Sequence, residues 1–475
     1  MVMGEFTIDT DVLVVGGGPG GYAAAFRAAD LGLDVTLVDT GQRPGGECLY
    51  RGCIPSKTLL FLAELIYDAR RAAPMGIAFG EPKIDLAALR TWKGKVIDDL
   101  AAGLVSLTDR RGIQRFQGRA VFENSREIRI EGGEVSRINF KNAILATGSR
   151  PTPLPGTSFE AGSRIMNSAG ALALPDIPKS LLIVGGGYVG LELGSVYAEL
   201  GSEVTVVEMS DRLLTGVDPD LVTPLMRRLR KKFKAIHLNT AITGLTERER
   251  NVDVTLTGNT VPENMTVDRV LVAIGRQPAS DGIGLETTEV TLDDQGFVQV
   301  DEQLRSSDKR IFAVGDVAGG LLLAHKASHE GKVAAEVIAG HPSAFEARAI
   351  PAVVYTDPQI AWCGLTEETA RQQQREVSVQ RFPWKFSGRA MTMDAADGLT
   401  KLIVDSETGR VLGVGVAGRA AEGIIAEGVL AVEMGALAQD LALSIHAHPT
   451  LSETEMEAAE IFLGTATHVM PRKLK

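Results

Sequence analysis

Two cysteines, Cys48 and Cys53, stand in the segment GGECLYRGCIPSK, residues 45–57. Four residues separate them, one more than the spacing that would put both on a single helical face. Bringing the sulfurs together therefore requires a local break in the backbone, which Gly52 and Pro55 make possible. In a chain with only 3 cysteines there is no disulfide framework. A close pair then reads as redox-active, as metal-binding, or as two buried apolar thiols. No second pair and no histidine cluster completes a zinc site, so no metal is expected. Cys363, alone in IAWCGLTE, reads as a packed small residue.

The second chemical signal is repeated. Residues 11–39, DVLVVGGGPGGYAAAFRAADLGLDVTLVD, align without a gap to residues 180–208, SLLIVGGGYVGLELGSVYAELGSEVTVVE, and twelve positions are identical. Each copy has an apolar strand, a G-x-G-x-x-G turn, a helix pattern and a second strand ending in an acid, Asp39 or Glu208. This is the dinucleotide-binding βαβ unit. Gly16 and Gly185 allow the tight turn. Gly18 and Gly187 let the backbone approach a pyrophosphate. Gly21 and Gly190 let helix and strand pack closely. The helix N-terminus offers unpaired N–H groups to phosphate. Two units imply two dinucleotides, which as FAD and a nicotinamide would form a hydride relay. Glu208 favours NAD over NADP, because a carboxylate there accepts from the ribose hydroxyl and repels a 2′-phosphate. Arg212, four residues on, weakens that preference.

The elements that must position these groups fit the length. A chain of 475 residues allows roughly three domains. Apolar residues make up 44% and charged residues 23%, which excludes disorder and collagen-like repeats. The 52 glycines are about 11% of the chain against a usual value of about 7%. A net charge of −11 argues against a nucleic-acid or anionic-membrane surface. No stretch reaches the roughly 18 to 20 apolar residues of a membrane span. Met1–Thr10 lacks the features of a signal peptide, and a cytoplasmic location is expected.

Residues 140–150 predict a strand running into a glycine turn, followed by Pro151, Pro153 and Pro155 as a boundary. Residues 268–278 repeat that pattern. Residues 310–317 predict a strand ending in Gly315-Asp316, where the acid is either a ligand for flavin hydroxyls or a helix cap. After Ala349 come strands at Ala352–Tyr355, Leu399–Asp405 and Val411–Gly418. Helices follow at Glu422–Met434 and Glu453–Leu463.

On these residues the chain resembles the pyridine nucleotide–disulfide oxidoreductases, and within them the branch that oxidises dihydrolipoamide. GGECLYRGCIPSK, both glycine fingerprints, ATG at Ala146–Gly148, the Gly315-Asp316 pair and HAHPTLSE at His446–Glu453 match in order across nearly the whole chain. The resemblance implies an α/β fold: an FAD domain (1–150), an NAD domain (151–277), a central domain (278–348) and an α+β interface domain (349–475). Gly16, Gly18, Gly21, Asp39, Gly148, Asp316 and Ala324, in the Leu323–Lys326 turn, fall on FAD positions. Lys57 falls on a lysine near the flavin, and Glu192 on the acid that pairs with it. Gly185, Gly187, Gly190, Glu208 and Gly275 fall on NAD positions.

The implied activity is oxidation of dihydrolipoamide through a Cys48–Cys53 disulfide and FAD, with reduction of NAD⁺. Cys48 would form the mixed disulfide and Cys53 the thiolate facing the flavin. His448, held by Glu453, would take the substrate proton, reaching the site from the opposite subunit of a homodimer. The partners would be a lipoylated carrier protein or an acyltransferase core. The same residues admit blander roles: Thr450–Glu453 also spells a capping box, and His446 reads as a structural donor. The chain departs from the family at Asp39, Glu47, Arg51 and Ala279, of which the two charges beside the cysteines bear on the thiolate. Alternatives are a related disulfide reductase with another substrate, a lipoyl-linked component outside the 2-oxoacid dehydrogenase complexes, and a redox-inactive flavoprotein.

Overall fold

A computed structural model describes residues 7–132, 136–258 and 262–470. Met1–Phe6, part of the N-terminal segment weighed above, lies outside the described residues. The first glycine fingerprint joins the strand Thr7–Val15 to the helix Pro19–Asp30. Val12, Leu13, Val14 and Val15 are buried on both faces, as a central parallel strand requires. This strand pairs in parallel with Val35–Asp39 on one side and Arg137–Leu145 on the other. The sheet is completed by Gln114–Gln117 and by an antiparallel edge, Glu127–Glu131 and Arg119–Asn124. Ile311–Ala313, far downstream in the chain and in register with Ala143–Leu145, adds a further parallel strand. The helix Ala324–Ile338 then packs on Pro19–Asp30, where a Cβ on Gly331 would lie 2.3 Å from the Gly20 carbonyl oxygen.

The second fingerprint repeats the arrangement. Ser180–Val184 pairs in parallel with Glu203–Val207 and with Arg269–Val272, and the helix Tyr188–Leu200 follows the turn. A three-stranded antiparallel sheet, Thr240–Glu247, Val252–Gly258 and Asn264–Val267, packs its apolar face on this unit. The two units are joined by a short antiparallel pair, Ser149–Pro151 with Arg276–Pro278. Here the structure refines the sequence expectation. Each predicted strand does run into its glycine turn, at Gly148 (φ +75°) and Gly275 (φ +128°), where only glycine turns without strain, and a further short strand follows each turn.

From Ala352 the chain forms a five-stranded antiparallel sheet in the order 352–354, 359–364, 411–418, 399–405, 377–383. Ala421–Met434 and Glu453–Leu463 cover it. Cys363 is buried in this core, where desolvation pushes its thiol up to about 12. It behaves as the packed small residue its context predicts.

Candidate active site

The cysteines lie where two helices meet. Gly46–Arg51 ends at Gly52 and a second helix, Cys53–Arg71, begins at once. The break at Gly52 brings Cys48 and Cys53 into hydrogen-bond contact, which an unbroken helix would not do. A Cβ on Gly52 would sit 3.0 Å from the Glu47 carbonyl oxygen, so the junction leaves little room for a side chain. Pro55 is in the first turn of the second helix, where its missing N–H costs no helical bond.

The two thiols are unequal. The hydrogen bond from Cys48, helped by Lys57, outweighs burial and holds Cys53 down at about 7. The same bond, with burial, pushes Cys48 strongly up. The pair is therefore set as a protonated Cys48 donating to a Cys53 thiolate.

A cavity of about 370 Å³ joins this pair to the first fingerprint. Gly16, Gly18, Asp39, Gly148, Asp316 and Ala324 line it, and so do Lys57 and Glu192. Gly21 lies behind the wall: a Cβ there would be 1.8 Å from the Gly16 carbonyl oxygen. Gly16 itself has φ +103°, and its Cβ would meet Ala146 O at 2.3 Å. The helix starting at Pro19 has no side-chain cap, so its first N–H groups are free for an anion. Asp39 accepts from Gly17 N–H at 2.5 Å and from Gly41 N–H at 2.5 Å. An uncapped helix N-terminus, a glycine wall and an acid at the strand end fit a dinucleotide with its pyrophosphate at the turn.

The second unit has the same fittings. Gly185 has φ +107°, Gly187 has no neighbour within 4 Å of a built Cβ, and Gly190 would meet the Gly185 carbonyl oxygen at 2.5 Å. Glu208 accepts from Gly186 N–H at 2.6 Å and Ser210 N–H at 2.7 Å. Arg212 pairs with Glu368 at 2.8 Å. Its charge is thus shared with Glu368.

Asp316 caps no helix. Its turn, Gly315–Ala318, has Val314 at the N-cap with no side-chain bond. The carboxylate instead accepts from Ser149 Oγ at 2.5 Å and lies 3.9 Å from Arg276. Glu47 faces Arg51 at 3.6 Å and Arg276 at 3.7 Å, so the two unusual charges beside the cysteines largely offset each other. Glu192 is 3% exposed and accepts from Ser56 Oγ at 3.0 Å, Lys57 Nζ at 2.9 Å and Tyr355 N–H at 2.9 Å.

His448 and Glu453 stand apart from this cavity. His448 Nδ1 lies 2.8 Å from Glu453 Oε1, and the side chain is 73% exposed. Glu453 Oε2 accepts from Thr450 N–H at 2.6 Å. Burial would raise the carboxyl, but the Thr450 N–H and His448 together hold it low. The capping box is only half formed. Ser452 is the N-cap, and the Thr450 hydroxyl has no partner among the described residues. His446 has both ring nitrogens engaged, with Ser444 O and Glu427 Oε1 at 2.8 Å each, which is a structural role.

Sequence reasoning passed over Tyr22, Tyr188, Arg276 and Tyr355. Tyr22 and Tyr188 each adjoin a glycine fingerprint, a signal that was available in the sequence. Burial pushes both phenols up. One acidic group among the described residues, Asp218, Asp220 and Glu367, has the spacing of a cation site. The buried Lys401 ammonium fills it, at 2.8, 2.6 and 2.5 Å from the three carboxylates.

Comparison with known proteins agrees with this geometry. Residues 10–331 match the family described as pyridine nucleotide-disulphide oxidoreductase, and residues 350–459 match its dimerisation domain. The chain is 44% identical over 473 residues to a dihydrolipoyl dehydrogenase of Geobacillus stearothermophilus, covering 99% of this chain and 100% of the relative. It is 45% identical over 468 residues to the one from Vibrio parahaemolyticus, covering 98% of each. Among solved structures it superimposes on LpdA from Mycobacterium tuberculosis with a TM-score of 0.87 at 27% identity, covering 95% of this chain and 99% of that one. The HOCl-induced flavoprotein disulfide reductase RclA from Escherichia coli gives a TM-score of 0.84 at 26% identity, with the same coverage.

Proposed function

Because the chain belongs to the pyridine nucleotide-disulphide oxidoreductase family, we propose that it oxidises protein-bound dihydrolipoyl groups and reduces NAD⁺, acting as a cytoplasmic homodimer. The observation that carries the redox chemistry is the unequal Cys48–Cys53 pair in one cavity with the first glycine fingerprint. The substrate follows from the names of the full-length relatives. Gly16, Gly18, Gly21 and Asp39 would hold the FAD pyrophosphate and ribose, with Gly148, Asp316 and Ala324 along the rest of the molecule. Gly185, Gly187, Gly190, Glu208 and Gly275 would hold NAD. The domain limits 1–150, 151–277, 278–348 and 349–475 belong to the same reading.

The thiol chemistry balances on this chain's own groups. A dihydrolipoyl thiolate attacks Cys48 of the oxidised pair, and the Cys48–Cys53 bond breaks. Cys53 leaves as thiolate, stabilised by Lys57. The second substrate thiol then attacks its own mixed disulfide, closing the lipoyl ring and releasing Cys48 as a thiol. His448 of the partner subunit takes the substrate proton, and Glu453 holds that ring and stabilises its charge. FAD, when bound, carries the electron pair from the dithiol onward to NAD⁺.

Support for the shared site is geometric. Within one chain the His448–Glu453 pair is outside the cavity of the cysteines. It lies in the segment that matches a dimerisation domain. Steady-state turnover of the purified protein with a dihydrolipoylated carrier domain and NAD⁺ tests the reading. NADH formation that disappears in Cys53→Ser is expected, and turnover retained in that variant would refute it.

A further inference from the structure

Lys57 lies one turn beyond Cys53, and two groups from distant segments meet its ammonium. Glu192 Oε2 is 2.9 Å from Nζ. The centre of the Tyr355 ring is 4.3 Å from the same nitrogen, within the range at which an aromatic face attracts a cation. Tyr355 is also tied to the carboxylate itself, because its N–H donates to Glu192 Oε1 at 2.9 Å. The three residues come from the helix Cys53–Arg71, the helix Tyr188–Leu200 and the segment just after the strand Ala352–Val354.

Each constraint answers a physical need. The lysine side chain is 34% exposed and carries a flexible stem, so without the ring its head could swing into water. Glu192 also accepts from Ser56, so the carboxylate is already shared. The Tyr355 phenol is pushed up by burial and by Glu422, which keeps it neutral near pH 7. Its hydroxyl has no hydrogen-bond partner among the described residues. The ring face is the part of this side chain in contact with the charge.

We propose that Tyr355 is a positioning residue whose ring, together with Glu192, fixes the Lys57 ammonium beside the Cys48–Cys53 dithiol. The inference rests on the redox role proposed above and deepens it. An ammonium held in place favours the Cys53 thiolate, and one that wanders does so less. The ring matters through its face and its charge distribution. The hydroxyl is dispensable.

The test uses the reduced holoenzyme with Tyr355 replaced by Phe, by Leu and by mono-, di- and trifluorophenylalanine. Fluorination withdraws the negative face of the ring with little change in size. The readout is the pH midpoint of iodoacetamide modification at Cys53, located by peptide mass spectrometry. Tyr355→Phe is expected to match the parent. The midpoint should climb along the fluorinated series, reaching about half a unit with Tyr355→Leu, the size expected for a partly exposed cation–aromatic contact. A flat fluorinated series would overturn the proposal even if the leucine variant failed to fold. The parent is also reduced with NADH. A parent lacking a long-wavelength thiolate–flavin band would sink the redox reading and this proposal with it. A parent with that band and a flat series would sink only the role of Tyr355.

Discussion

His448 and Glu453 form a 2.8 Å pair through Nδ1 that leaves Nε2 without a hydrogen-bond partner among the described residues. The acid is fixed by the Thr450 N–H, so the ring is held at a defined angle while its far nitrogen stays open to solvent. The cavity with Cys48 and Cys53 has no histidine among its lining residues. If His448 is the base, as proposed above, a base and a dithiol that lie apart in one subunit would make a dimer necessary for chemistry and not only for stability. Ile445, fully exposed beside this loop, is suited to being covered by a second copy.

Hybrid dimers measure this directly. A subunit with Cys53→Ser paired with one carrying His448→Gln keeps one intact site and one doubly defective site if the base acts across the interface. Such hybrids should retain roughly half the parental turnover, whereas the His448→Gln homodimer should lose about 10² to 10⁴-fold and the Cys53→Ser homodimer should show none. Hybrids as inactive as the homodimers would place the base in its own subunit.

The inequality of the thiols predicts the effect of removing the donor. In Cys48→Ala the Cys53 sulfur loses the hydrogen bond that is the first cause of its low pKa of about 7. Burial then acts with less opposition and the thiolate titrates at higher pH. Alkylation of Cys53 should shift to higher pH by about one unit or more, the size of a hydrogen bond to a charged group. An unchanged midpoint would mean that Lys57 alone sets the thiolate.

On the proposed reading two carboxylates would set nicotinamide preference. Glu208 would repel a 2′-phosphate, while Glu368 keeps Arg212 occupied at 2.8 Å. Glu208→Ala should lower the NAD⁺ to NADP⁺ ratio of kcat/KM by roughly tenfold, through loss of ribose binding and of repulsion. Adding Glu368→Ala should lower it further by freeing the guanidinium for the phosphate. If the second substitution has no effect in the Glu208→Ala background, Arg212 does not reach the ribose.

Lys401 is a buried cation among three acids from outside its own strand. Lys401→Met should cost about 3 to 5 kcal/mol in urea unfolding near pH 7, since it leaves the buried Asp218 carboxylate without its ammonium. The sign with pH is fixed by Asp220. Burial raises that carboxyl, but Lys401 and Arg381 outweigh it and hold it below its ordinary value. Its contribution is therefore full above about pH 4 and lost as pH falls through the lowered folded value. The gap between parent and variant should narrow below pH 4. A gap that widens in acid would contradict the pairing.

Much of this protein is legible from local pattern. Leu399–Asp405, Val411–Gly418 and Glu453–Leu463 have the limits their residue alternation predicts, and Glu422–Met434 gains only Ala421. The two fingerprints announce their own turns, because a tight strand-to-helix junction admits only glycine where a Cβ would strike the backbone. The cysteine spacing announces a helix break for the same local reason. What the sequence leaves open depends on contacts between segments far apart in the chain. Ile311–Ala313 joins the first sheet beside Leu145 only because its apolar residues find an open edge there. Arg212 turns to Glu368, 156 residues away, and Glu192 gathers Ser56, Lys57 and Tyr355 from separate segments. Charge and hydrogen-bonding capacity are properties of each residue, and the sequence determines them. Which partner uses them is decided by packing, which brings distant groups within 3 Å and sets how strongly burial makes them interact.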